Sequence, residues 1–156
     1  MIELRNITSD NFDECIELEP REDQKSFVAS NVVSLAECYV AIANQECIPM
    51  PYAIYNKDRM VGFLLITYNP PDEYHEEAVY WICRLMIDRH EQGKGYGKEA
   101  MVKAITLIRT FPHGKSPLIS LSYEPDNQLA KALYAGLGFV ETGKTIGEEL
   151  IAELRL

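Results

Sequence analysis

The stretch QGKGYGK, residues 92–98, sets glycines at 93, 95 and 97 and lysines at 94 and 98. Glycines at this density let the main chain approach a ligand, because no Cβ stands in the way. A strand-like run precedes the stretch and a helix-like run follows it. Free N–H groups of residues 93–98 and the positive end of a helix would then converge on one anion. The chemistry that suits this cradle is diphosphate binding, with Gln92, Gly93, Lys94, Gly95, Gly97 and Lys98 as its residues. Two common phosphate loops do not fit. A GxxxxGK[ST] loop would need glycine at 92 and a hydroxyl at 99, where Gln92 and Glu99 stand. A GxGxxG fingerprint fails at Lys98 when started from Gly93, and at Ala100 when started from Gly95.

A second concentration of chemistry is acidic. Asp72, Glu73, Glu76 and Glu77 crowd one loop with His75, and Glu19, Glu22, Asp23 and Glu37 lie on helical segments. Net charge is −9. That balance opposes nucleic-acid binding, since phosphate repulsion would have to be overcome. It favours a cationic small molecule, although solubility alone also accounts for it. Taken singly, each acid reads as a solvated surface residue and His75 as an exposed loop histidine. The four cysteines form no CxxC pair and have no histidine at ligand spacing, so no metal site and no disulfide framework is expected. No apolar run reaches membrane-spanning length and the N-terminus lacks a signal-peptide core, which predicts a cytoplasmic protein with no membrane partner.

The 156 residues predict one domain, 1–156, with a core of its own. IELRNI alternates as a strand. A short helix follows, capped by Ser9 or Asp10, with Phe12, Cys15, Ile16 and Leu18 on one side. Residues 21–43 read as two short helices broken at Ser30–Asn31, and the prolines of IPMPYA stop them. YAIYN and MVGFLLITY form a hairpin, and VYWICRLMID is a long strand after the acidic loop. The glycine stretch opens a helix whose Val102, Ile105 and Ile108 hold helical spacing. LISLSY is a strand, NQLAKALYAGL a helix, and the chain finishes as two strands around a turn. Asn127, Lys131 and Tyr134 share one face of that helix, being four and seven residues apart. This order predicts a mixed α/β fold around one sheet.

LMIDRHEQGKGYGKEAM resembles the acetyl-CoA-binding motif of the GNAT (Gcn5-related) N-acetyltransferase superfamily, in which a [RQ]xxGx[GA] loop grips the CoA pyrophosphate. NQLAKALYAGLGF is similar to the helix that follows in that family, with Asn127 at its start and Tyr134 near its end. More narrowly, YWICRLMID with QGKGYGK, DQKSFVASN and LSYEPDN resemble bacterial spermine/spermidine (diamine) acetyltransferases. Arg89 stands where proline is frequent, a departure expected to be harmless on a loop.

The resemblance implies a mostly antiparallel sheet with a V-shaped splay, flanked by helices, and acetyl-CoA as co-substrate. Pantetheine would lie in the splay against main chain near Met86 and Ile87, as an added strand. Asn127 would bond the pantetheine arm, Lys131 would lie beside it, and Tyr134 would protonate the departing thiolate. The acceptor site would lie over the V, roofed by the first two helices and the acidic loop. A polyamine there would want spaced carboxylates, with Glu22, Glu37, Glu76 and Glu77 as candidates, and aromatic walls such as Trp81, Phe27 and Tyr52. Tyr39 and Tyr123 read as packing aromatics, and Cys83 as a packed thiol against a less favoured acetyl-cysteine route. A homodimer is also implied. Two alternatives stay open: another acceptor amine (a protein N-terminus, lysine, aminoglycoside or amino acid), or a CoA-binding sensor without turnover.

Overall fold

The computed structural model describes residues 1–156. Its strands are β1 (Ile2–Asn6), β2 (Ile48–Asn56), β3 (Arg59–Asn69), β4 (Val79–Ile87), β5 (Leu118–Tyr123), β6 (Val140–Ile146) and β7 (Glu149–Arg155). Its helices are α1 (Phe12–Glu17), α2 (Asn31–Ala43), α3 (Tyr96–Ile108) and α4 (Gln128–Gly136). All seven strands join one sheet in the order β1-β2-β3-β4-β5-β7-β6. Every neighbouring pair is antiparallel except β4 and β5, which run parallel. The fold class is therefore the expected mixed α/β one.

Two apolar layers cover the sheet. On one face α3 buries Ala100, Met101, Ala104, Ile105 and Ile108, and α4 lays Ala130, Leu133 and Tyr134 against the same cluster. Each large apolar side chain that α3 removes from water in this way contributes about 1.5–3 kcal/mol. On the other face Cys15 of α1 and Cys38 of α2 pack with Ala53, Phe63, Leu65 and Met86.

Four local expectations change. Val102 is half exposed, because the buried stripe of α3 runs through Ala100, Met101 and Ala104 instead. The α1 N-cap is Asn11, not Ser9 or Asp10, and its side-chain oxygen accepts from Thr8 N–H; Phe12 faces water. The break expected at Ser30–Asn31 is the start of α2, which Ser30 caps by accepting from Val33 N–H at 3.2 Å, but the segment before it holds only a single 3₁₀ turn, Glu22–Gln24. Pro49 and Pro51 lie inside β2 rather than before it. Their spacing of two puts both missing N–H groups on one lateral side, and β1 pairs β2 only from Tyr52 onward, so that side is an open edge where proline is tolerated.

Candidate active site

The β4–β5 ladder is only three residues long: Tyr80 opposite Ile119, Trp81 opposite Ser120, Ile82 opposite Leu121. Beyond Ile82, β4 continues to Ile87 against β3, while β5 continues to Tyr123 against β7. Cys83 marks the parting. Ile66 pairs Ile82 and Leu65 pairs Arg84, so Cys83 is the extra residue of a β-bulge. A bulge adds twist and bends its strand, which turns β4 away from β5 at that point. The result is a V whose inner edges carry unpaired main-chain groups, along a cleft of about 590 Å³.

Gln92, Gly93, Gly95 and Gly97 line the wide end of this cleft. Gly93 and Gly95 have φ of +78° and +83°, backbone that L side chains rarely adopt, and Gly95 is the N-cap of α3. A Cβ built on either would meet nothing within 4 Å. The glycines are thus needed for backbone shape and they leave open space in front of it. Glu99 N–H is the first to enter the helical ladder, bonding Gly95 C=O, so the preceding N–H groups of α3 are free for an anion. Such a cradle, continuous with the unpaired edge of β4 at Met86 and Ile87, fits a diphosphate joined to an extended amide chain.

The lysines behave differently. Lys94 Nζ bonds the carboxylate of Glu91 at 2.8 Å, and Arg59 reaches the same buried carboxylate at 3.1 Å. Lys98 is exposed on α3, and Lys131 lies 3.7 Å from Glu141. None of the three lines the cleft.

Asn127 and Tyr134 do line it. Asn127 caps α4 by accepting from Ala130 N–H with its side-chain oxygen, which leaves its NH₂ group to donate elsewhere. Tyr134 is wedged between Tyr123 and Phe139, with ring centroids 5.7 and 6.0 Å away. Burial pushes its phenol up to about 12, so it stays protonated at neutral pH. Tyr123 is raised as well, by burial and by the bond its hydroxyl donates to Glu141 at 2.6 Å. Cys83 also borders the cleft. Burial pushes its thiol up to about 11. A thiol held neutral is a poor nucleophile.

The acids chosen from sequence do not converge. Glu22 is 81% exposed and paired to Lys25 at 2.9 Å, and Glu37 holds Arg84 at 3.0 Å. Glu76 and Glu77 border a separate hollow of about 330 Å³ beside the starts of β4 and β5, at the closed end of the V. Trp81 is buried there among Val79, Leu118 and Ile151, so it is no wall of the cleft. Tyr52 packs into the core as well, whereas Phe27 lines the cleft. The His75 side chain is only 7% exposed: its Nε2 lies 2.6 Å from Glu153, tying the acidic loop to β7. The carboxylates that topology brings to the cleft are Glu91, Glu124 and Glu149. Glu124 directly follows β5 and Glu149 begins β7, and only the adjacency of those strands puts them together. Arg89, at the position where the resembled motif often has proline, donates its main-chain N–H to Glu19 C=O at 2.8 Å, a bond that proline could not make.

The family model described as Acetyltransferase (GNAT) family matches residues 2–139. The chain belongs to this family. It is an acetyl-CoA-dependent N-acetyltransferase, with acetyl-CoA as co-substrate. Among curated relatives, the probable spermine N(1)-acetyltransferase of Bacillus subtilis subsp. natto is 31% identical over 147 residues, covering 92% of this chain and 90% of the relative. The spermine/spermidine N(1)-acetyltransferase of Bacillus subtilis strain 168 matches with the same identity and coverage. Among solved structures, the spermidine N-acetyltransferase of Vibrio cholerae, in complex with CoA and spermine, shares the fold with a TM-score of 0.68. It has 16% identity and covers 99% of this chain and 94% of its own.

Proposed function

We propose that this enzyme transfers an acetyl group from acetyl-CoA to a primary amine of spermine or spermidine, by direct attack in a ternary complex. The observation that carries the choice of acceptor is the match over 92% of the chain to relatives named for that reaction. Acetyl-CoA supplies the acetyl group as an activated thioester. The main chain of residues 92–98 holds its diphosphate, the β4 edge at Met86 and Ile87 holds pantetheine, and the Asn127 NH₂ group donates to the same arm. Tyr134 gives its proton to the leaving sulfur; its phenol carries that proton at neutral pH and lines the cleft.

The acceptor enters from the α1–α2 face, under residues 20–29. An alkyl ammonium with pKa of roughly 10.4 is about a thousandth neutral near pH 7.4, a handicap of roughly 4 kcal/mol, and a carboxylate or water relay takes its proton before the amine attacks. Glu124 and Glu149 are the carboxylates we assign to the distal ammonium groups, in place of Glu22, Glu37, Glu76 and Glu77. The reading includes a cytoplasmic, single-domain homodimer; gel filtration tests the dimer.

Thiol release measured over polyamines, monoamines of equal length, aminoglycosides and peptides tests the proposal. Spermine and spermidine should lead, and their advantage should shrink as salt screens the carboxylates. A clear preference for an aminoglycoside or a peptide would overturn the polyamine half, and no release with any amine would leave a CoA-binding sensor.

A further inference from the structure

The segment that roofs the cleft is fastened to the loop that leads into the glycine cradle at two separate points. The first is at Glu19. Its N–H donates to Asp88 Oδ1 at 3.0 Å, and its C=O accepts from Arg89 N–H at 2.8 Å. The second is Gln24, five residues on. Gln92 Nε2 donates to Gln24 Oε1 at 2.7 Å and to Ile87 C=O at 2.9 Å. Gln24 Oε1 also accepts from Arg21 N–H at 3.2 Å, closing the 3₁₀ turn. One amide oxygen therefore holds the turn together and receives the side chain of the first cradle residue. Directly after Gln24, residues Lys25 to Ala29 line the cleft.

This arrangement bridges the open mouth of the V. Gln24 comes from the α1–α2 side, and Gln92 from the loop between β4 and α3. Both protons of the Gln92 amide nitrogen are used, one on the end of β4 and one on the roof. Anything that orders residues 92–98 therefore orders Gln92, and through it the turn that positions the roof. A ligand that orders the roof acts in reverse on the cradle, because coupling between two sites is reciprocal.

We propose that Gln24 is a positioning residue that couples occupancy of the glycine cradle to the conformation of the acceptor roof, residues 19–29. The inference rests on the reading of the cleft given above, but not on the acceptor being a polyamine. The Glu19 clamp is independent of Gln24, so Gln24→Leu keeps the first fastening and loses the second, together with the Arg21 N–H bond that closes the turn. Gln24→Glu keeps an oxygen acceptor for both donors and serves as the rescue.

Hydrogen exchange on the full chain, with and without CoA, is the test. In the wild type, CoA should slow exchange by about tenfold in residues 92–98 and also in residues 19–29. In Gln24→Leu the slowing at 92–98 should persist and that at 19–29 should fall to within about twofold of the free protein, while Gln24→Glu restores it. In a second arm, CoA should tighten spermine binding by about tenfold in the wild type and by less than about twofold in Gln24→Leu. A roof that CoA protects equally in Gln24→Leu and wild type overturns the proposal, as does a wild-type roof that ignores CoA. If spermine fails to bind the wild type while the exchange pattern holds, the acceptor assignment falls and the coupling stands.

Discussion

The rings of Tyr134 and Tyr123 lie 5.7 Å apart with their planes at 43°, and their hydroxyls have different fates. Tyr123 donates to Glu141 at 2.6 Å, which commits it to the β6 side. Tyr134 is the phenol of this pair available to a departing thiolate. Tyr134→Phe should lower kcat by about 100-fold, the usual size of a general-acid contribution. The Michaelis constant for acetyl-CoA should stay within about threefold, because the lost interaction arises only as sulfur leaves. Steady-state kinetics decides it. An unchanged kcat would mean that water protonates the thiolate and that Tyr134 merely packs.

The same residue has a stability signature. Burial lifts its pKa to about 12, above the roughly 10 of a free tyrosine. Between those values the unfolded chain releases the proton and the folded chain keeps it, so stability falls as pH rises. The contribution is complete below about pH 10 and is lost toward pH 12. Urea unfolding at pH 9.5 and 11.5 should show a smaller loss for Tyr134→Phe than for wild type, by about 1–3 kcal/mol. Equal losses would place the Tyr134 hydroxyl in water.

Gly95→Glu puts a side chain on a backbone with φ of +83° and a carboxylate in the space before the α3 N-terminus. Backbone strain costs about 1–2 kcal/mol, so the thermal midpoint should drop by only a few degrees. Calorimetry should find CoA affinity reduced at least about 30-fold, roughly 2 kcal/mol, through exclusion of the diphosphate. Unchanged affinity would remove the cradle from cofactor binding.

Acceptor recognition separates two sets of acids. Neutralising Glu149 or Glu124 by glutamine should raise the spermine Michaelis constant about fivefold at low salt, with less effect at 0.5 M salt as screening grows. Glu76→Gln and Glu77→Gln should leave it unchanged, since both border the hollow at the closed end of the V. The reverse pattern would move the acceptor to that hollow.

Much of this molecule is set by local chemistry and is therefore legible along the chain. Alternation marks the strands, and Ser30 and Asn127 announce α2 and α4 because capping is a bond within three residues. The cradle is visible because glycines 93 and 95 can take left-handed backbone without strain whatever surrounds them. Other features depend on which distant segments meet. Pro49 and Pro51 read as helix stops until the sheet order shows their outer side to be an open edge. Trp81 and Glu76 look like parts of an acceptor site until β7 arrives beside β5, closing that end of the sheet around Trp81. Glu124 and Glu149 become neighbours of one cleft only through the same pairing, and Gln24 meets Gln92 across 68 residues of sequence. Backbone conformation and capping are short-range energies that a few residues determine. Which carboxylates share a cleft, and which side chains span it, is decided by strand order and by the bulge at Cys83, and no local pattern encodes either.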